Sequence, residues 1–410
     1  MTLSYRRDGS SRFEKESRWG NFPSAAFAWK VKEDFFKDSN VVSDLKLRLS
    51  YGITGQQDIP DPNGYLEKYD LGGGNSQYQF GNAYFPIALP SKRTKNLKWE
   101  ETVSYNAGLD FGVFNNVITG AVDVFYKEAK DILVNAAISD GSNFSNRVYQ
   151  NVGSFTTKGI EFTLNASPIK TENFNWNINF NASKFERRIK DLVYGTDIYV
   201  GDNIAGTGTP GQIFREGYTP YSFYVYKQLY DTNGKAIEGA FADLNGDNIK
   251  NDSDRYIYNN PDPDVTLGFA STMNYKDIDF SFNLRASIGN RIFNAVDASR
   301  AQYEAMENGG ILSNVPSSIL DTNFQTTSNV LLSDIYIENA SYLKMDNVTL
   351  GYTFRKIMNE STSLRMFTGV QNVFVLTKYS GLDPEITNNG VDKTIYPRQR
   401  TILFGLNLKF

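Results

Sequence analysis

The chain has no cysteine and no histidine in its 410 residues. The first absence excludes disulfides, thiol nucleophiles and cysteine-ligated zinc, and the second removes the commonest general base and metal ligand. Most catalytic constellations are therefore closed to it, and no enzymatic activity is expected. No apolar run reaches the ~18 residues of a membrane-spanning helix, and the mean hydropathy is −0.42. That excludes a membrane helix bundle but not a membrane barrel, whose strands alternate lipid-facing and lumen-facing residues and so look polar on average. Charge of one sign is also lacking: a net −4 spread along the chain leaves no basic stripe to track phosphates, so nucleic acid is not an expected partner. Met1–Phe13, MTLSYRRDGSSRF, lacks the apolar stretch of a signal peptide. Because the rest reads as exported, the expectation is a portion of a longer protein.

What is abundant points to β-structure. Aromatic residues make up 14%, with 25 Tyr and 29 Phe, beside 33 Gly, which suits many strands, tight turns and interfacial girdles. Over Phe174–Ser183, Phe174, Trp176, Ile178, Phe180 and Ala182 alternate with Asn175, Asn177, Asn179, Asn181 and Ser183. One face of such a strand is apolar and the other rich in amides. Ile278–Ile288 repeats the pattern, with Asp279 and Arg285 on its wet face, and Val103–Phe111 and Ile160–Ala166 follow it. Alternation alone fits a soluble sandwich as well as a barrel.

Loop lengths separate the two. Short turns are expected at Val113–Asn116, Lys170–Asn173, Lys276–Asp277 and Arg355–Thr362. Long polar connections fall at Gly55–Lys98, Asp131–Phe155, Asp191–Pro263, Arg291–Ala340 and Thr377–Tyr396. Short and long alternate, as in outer-membrane barrels with brief periplasmic turns and extended outer loops. Keeping this parity gives twelve crossings, starting near Leu3, Phe22, Leu45, Glu100, Val117, Thr157, Phe174, Pro263, Ile278, Tyr342, Ser363 and Pro397. Tyr221–Tyr230 also reads as a strand, but parity assigns it to the long outer loop. Leu403–Phe410, LFGLNLKF, places Gly405, Leu408 and Phe410 in the spacing of a C-terminal outer-membrane insertion signal.

One segment suggests a metal. Asp243, Asn245, Asp247, Asn251 and Asp254 hold the side-chain ligand positions of a calcium loop, and Ile249 is placed to offer its carbonyl. The spacing resembles EF-hand and dockerin loops. Asn248 stands where Gly is usual, Asp254 where Glu would bind through both oxygens, and the flanks read as strands, so this is not an EF-hand. The expected ion is a structural Ca2+; the alternative is an ion-free Asp/Asn turn. The acid pairs Glu100/Glu101 and Asp383/Glu385 are read as solvated or loop charges and not as glycosidase carboxylates. Gly72–Gly74 reads as a flexible loop and not a phosphate cradle. Tyr65, Tyr69, Tyr78, Tyr84 and Phe85 could stack on a sugar but read more readily as loop packing.

Several segments, taken in order, resemble the C-terminal half of SusC/RagA-family TonB-dependent outer-membrane transporters. They include RRDGSSRF (Arg6–Phe13), WGNFPSAAFAW (Trp19–Trp29), LRLSYGITGQQDI (Leu47–Ile59), NLKWEETVSYNAGLDFG (Asn96–Gly112), NVGSFTTKGIEFTL (Asn151–Leu164), ASYLKMDNVTLGYTF (Ala340–Phe354) and the closing YPRQRTILFGLNLKF. The resemblance implies an all-β, transmembrane antiparallel barrel of about 22 strands, of which about 12 are present here. It also implies an N-terminal plug upstream of Met1, a SusD-like surface lipoprotein, the TonB complex acting through that upstream region, and an oligosaccharide or peptide as substrate. The rival expectations are a self-contained porin or adhesin and a soluble, calcium-stabilised carbohydrate-binding β protein.

Overall fold

The computed structural model describes residues 1–410 except 60, 72–76, 140, 193–194, 204–209, 309, 358–359, 387–388 and 394–395. Gly72–Gly74 therefore lies outside the described residues. One 12-stranded antiparallel sheet dominates, its strands neighbouring one another in chain order. They are β1 Thr2–Gly9, β2 Trp19–Trp29, β3 Val42–Gln56, β4 Glu100–Val113, β5 Ile118–Lys130 and β6 Gly153–Lys170. The second half comprises β7 Phe174–Leu192, β8 Val265–Tyr275, β9 Ile278–Ile288, β10 Tyr342–Arg355, β11 Ser363–Thr377 and β12 Thr401–Lys409. All twelve expected crossings are present. The ends differ by a few residues: β8 starts at Val265 and not Pro263, β12 at Thr401 and not Pro397, and β6 and β7 grow to 18 and 19 residues. Each exceeds the ~9–11 residues that cross a bilayer, so both project beyond it.

Alternation fixes which face is which. Trp176, Ile178 and Phe180 pair with Met273, Ser271 and Phe269, which pair in turn with Phe280, Phe282 and Leu284. This face continues through Leu350 and Tyr352 to Met366 and Phe404, which are large, apolar and exposed. A soluble sandwich would bury such a face against a second sheet. Here it forms an uncovered apolar belt, the surface that lipid covers. Its one small polar residue among these, Ser271, is buried beneath Trp176, whose Nε1 donates to Ser271 Oγ at 3.0 Å.

The connections segregate as expected. At one end lie tight turns; Phe114, Asn115 and Asn116 carry φ of 54°, 55° and 62°, the left-handed conformation that Asn tolerates better than most residues. Residues 30–41 also belong to this end and hold a one-turn helix, Val31–Phe35. At the other end, the described residues of 193–264, 289–341 and 378–400 fold together. Phe223, Val225, Phe293, Phe324, Val330, Leu332 and Val391 form a single buried core drawn from all three. The strand Arg291–Asn294 pairs with Ile337–Asn339 on one side and with Val391–Asp392 on the other. Tyr221–Tyr230 sits here: Ser222–Tyr226 joins a four-stranded sheet separate from the twelve. The long connections are thus a folded cap, with its own interior, over one end of the barrel wall.

Candidate functional site

The face opposite the belt is polar and carries the site. On β7, Asn175, Asn177, Asn179, Asn181 and Ser183 all point to it. Asn179 donates to Asn165 Oδ1 at 2.6 Å, and Ser167 to Asn177 Oδ1 at 2.7 Å. Asn165, Asn177 and Asn179, with Asn116 and Thr119, line a recess of about 270 Å³. They offer donors and acceptors in rows and no nucleophile or acid–base pair.

Ion pairs cross this wall over glycines. Arg48 donates to Asp110 at 2.9 Å and to Asp123 at 2.8 Å. Gly108 is the register partner of both Arg48 and Asp123, so it leaves the gap through which the guanidinium reaches across a whole strand. Gly351, the register partner of Asp279, likewise leaves room for the Arg365 guanidinium, joined to Asp279 at 2.7 Å.

A larger network ties the cap to the wall. Against β9, β10 carries an extra residue, Asp346, between Met345 and Asn347. Such a bulge re-aims a side chain, and the Asp346 carboxylate accepts from Arg285 at 2.5 and 2.9 Å. Arg285 also donates to Glu385 at 2.8 Å, and Lys344, 1% exposed, lies 3.3 Å from Glu385 and 3.8 Å from Asp383. Arg398 joins the same two acids at 2.6 and 3.1 Å. Burial alone would raise the Glu385 carboxyl, but the Arg285 hydrogen bond and the charges of Arg285, Arg398 and Lys344 outweigh it and hold it below the usual range. Asp383 and Glu385 are loop charges as expected, but the alternative of solvated ones is corrected: Asp383 is buried, and both face cations of the wall. Glu100, half-buried at the start of β4, accepts from the Leu133 amide at 3.3 Å.

The Asp243–Asp254 segment lies on the cap. Carboxylate oxygens of Asp243, Asp247 and Asp254 come within 4.8 Å of one another. Asp243 accepts from the Gly246 and Asn248 amides at 2.6 and 2.8 Å, and Asp254 from those of Leu244 and Asn251 at 2.9 and 3.0 Å. Asn245 and Asn251 turn their amide groups to Asp247 at 2.8 and 3.1 Å, and the Ile249 carbonyl accepts from Asn251 at 3.1 Å. Asn248 takes φ +60°, supplying the left-handed turn in place of Gly. Strands Ala236–Phe241 and Arg255–Ile257 flank the loop. All six residues named from the sequence thus gather in one turn.

The loop aromatics pack in part: Tyr65 is half-buried, and the others stand further out than expected. Tyr69, Tyr78, Tyr84 and Phe85 are exposed. On the hairpin Gln77–Phe80 and Ala83–Pro86, Tyr78 packs on Phe80 at 4.7 Å and Phe80 on Phe85 at 5.8 Å. Beside them lies a cleft of about 660 Å³ between the 57–99 and 131–152 connections, lined by Lys68, Arg93, Lys95 and Lys98 with Tyr69 and Phe144. Sequence reasoning missed this cleft, although the run Lys92-Arg93-Thr94-Lys95 was its visible trace.

Comparison with known proteins gives three findings. A family model described as TonB dependent receptor-like, beta-barrel, matches residues 1–373. The chain is 43% identical to the TonB-dependent receptor SusC of Bacteroides thetaiotaomicron, covering 100% of this chain and 42% of that protein. It is 32% identical to the TonB-dependent receptor P3 of Formosa agariphila, covering 100% and 44%. Among solved structures, the RagAB peptide transporter superposes with a TM-score of 0.82 at 23% identity, over 100% of this chain and 45% of that one. The chain spans less than half the length of the curated relatives it matches.

Proposed function

Because the chain belongs to the TonB-dependent receptor β-barrel family, in its SusC/RagA type, and is an outer-membrane β-barrel protein, we propose that it serves the import of oligosaccharides or peptides. In this reading the polar wall lines the import path, a SusD-like lipoprotein rests on the cap, and a TonB complex supplies energy through a region outside these residues. The observation that carries it is the pairing of an uncovered apolar outer face with an amide-lined inner one, the cap standing at one end. Exposed Ile311, Leu312 and Leu320 on the cap offer a surface for the lipoprotein. The amide rows suit hydroxyl-rich or peptide backbones, which need many neutral donors and acceptors. The test is uptake in cells deleted for the gene and supplied with labelled oligosaccharides or peptides. Loss of one class, restored by the intact gene and requiring the lipoprotein, supports import. Unchanged uptake of every class contradicts it.

We further propose that Asp243, Asn245, Asp247, Ile249, Asn251 and Asp254 hold a Ca2+ that stiffens the cap. The support is the convergence of three carboxylates among hard oxygen donors, which fits that ion. The ion would neutralise their mutual repulsion and brace the strand at Arg255. Loops of extracellular modules bind with Kd of about 10⁻⁴–10⁻³ M, sufficient outside the cell.

A further inference from the structure

The 57–99 connection joins β3 to β4 and the 131–152 connection joins β5 to β6, both at the cap end. Two asparagines staple these connections together. The Asn143 amide brackets the Arg93 peptide, accepting from its N–H at 3.1 Å and donating to its carbonyl at 2.5 Å. Asn151 brackets the Lys98 peptide in the same way, at 3.1 and 3.0 Å, and also donates to the Asp131 carbonyl at 2.7 Å. Each side chain thus stands in for a strand partner and satisfies both polar groups of a peptide. Between the staples the chain turns at Asn96, whose φ is +60°. The cleft of about 660 Å³ lies along this segment. A recess held from both sides needs no reordering to receive a ligand, and its volume is within the ~300–1,000 Å³ of small-molecule sites.

The lining narrows the ligand. Three of its cations are already matched: Lys68 by Asp61 at 3.0 Å, Arg93 by Glu67 at 2.5 Å and Lys98 by Asp131 at 2.7 Å. An anion would compete with carboxylates in place, so charge does not define the site. Leu97 and Val148 are buried, which leaves no greasy slot for an aliphatic ligand. What the cleft does present is two rings, Tyr69 from one connection and Phe144 from the other, 70% and 71% exposed. Tyr69 is set by the ladder of Tyr69–Leu71 with Ala88–Pro90, and Phe144 by its amide, which donates to Asn143 Oδ1 at 2.8 Å. Near them, the side chains of Lys95, Asn96 and Gln150 make no hydrogen bond or ion pair among the described residues. Flat ring faces beside unengaged polar groups suit a ligand with an apolar CH face and a rim of hydroxyls, which is a sugar ring. An extended peptide would seek free backbone partners, and those of Arg93 and Lys98 are taken by the two asparagines.

We propose that this cleft is a capture site for a neutral oligosaccharide, separate from the polar wall. Tyr69 and Phe144 each stack on a sugar ring, and Lys95, Asn96 and Gln150 bind hydroxyls. Asn143 and Asn151 are positioning residues that hold the two ring-bearing connections at a fixed separation. The inference deepens the import reading and rests on it only for the fate of the captured sugar.

The test uses the whole protein purified in detergent and titrated calorimetrically with short neutral gluco-, manno-, fructo- and xylo-oligosaccharides, with oligogalacturonate and a mixed-sequence peptide as controls. One neutral series should bind, with an affinity indifferent to added salt. At about tenfold per stacked ring, Tyr69→Ala/Phe144→Ala should bind that series about 100-fold more weakly. Tyr69→Trp/Phe144→Trp keeps both ring faces and should bind as the wild type does, which guards against misfolding. Binding of no neutral series, equal binding by the wild type and the alanine variant, or preference for oligogalacturonate or the peptide would each overturn the proposal. Uptake of the same sugars by cells separates this site from the reading above. Import that persists without binding in the cleft overturns the cleft alone, whereas binding in the cleft without import of any class overturns the import reading and leaves the capture site standing.

Discussion

Arg285, on the inner face of β9, donates to Glu385 of the 378–400 connection at 2.8 Å, joining wall and cap across 100 residues of sequence. The bond belongs to a set of three cations and three carboxylates in which Lys344 is nearly sealed from solvent. Removing one member of a buried ionic set leaves its partners uncompensated, which costs more than the intact set contributes. Lys344→Met should therefore destabilise the folded protein by about 3 kcal/mol, read as a lower midpoint in urea unfolding and earlier proteolysis of residues 378–400. An unchanged midpoint would show that the cap does not depend on this tether.

The same set predicts a pH dependence. Glu385 is held below the ~4.3 of an unfolded glutamate. Its contribution is therefore complete above that value and is lost as pH falls through the lower, folded one. The protection of residues 378–386 against hydrogen exchange, relative to the intrinsic rate at each pH, should hold from neutrality to about pH 4.3 and fall below it. Glu385→Gln should be faster at neutral pH and lose that acid-dependent step.

Two glycines of the wall should respond differently to a methyl group. A Cβ at Gly108 would strike both the Arg48 guanidinium and the Asp123 carboxylate, whereas one at Gly369 would meet nothing closer than Thr349 Oγ1 at 3.4 Å. Gly108→Ala should cost about 2 kcal/mol through lost charged hydrogen bonds, and Gly369→Ala should be neutral within about 0.5 kcal/mol. Unfolding midpoints of both in one detergent check the contrast.

Calcium should protect the cap through the Asp243–Asp254 turn. Millimolar Ca2+ added to chelator-treated protein should slow proteolysis near residues 243–254, and Asp243→Asn/Asp247→Asn should abolish the difference. Mg2+, which demands stricter octahedral geometry, should protect less. Equal protection in wild type and variant would leave the turn ion-free.

The barrel wall was legible because its signal is local: each strand carries its own two-residue period, as Phe174–Ser183 does, and parity of loop length orders the strands. The extensions of β6 and β7 were not, because polar residues such as Lys158 and Arg188 end the apolar pattern while the hydrogen-bond ladder continues. The cap was illegible for a deeper reason. Its core joins Phe223, Phe293 and Val391, residues far apart in sequence that lie in stretches without periodicity. Asp383 and Glu385 looked like ordinary loop acids because Arg285, Lys344 and Arg398 are brought to them only by the fold. The twelve-residue Asp243–Asp254 turn was visible since its six oxygen-bearing positions lie within one short segment.

The account stands or falls on the two-faced wall, and spin labels placed singly along Ile178–Ala182 in reconstituted protein test it most directly. Labels at Ile178, Phe180 and Ala182 should relax preferentially with oxygen dissolved in the bilayer, and those at Asn179 and Asn181 with a water-soluble nickel chelate, in strict alternation. A run in which all five respond alike would contradict it.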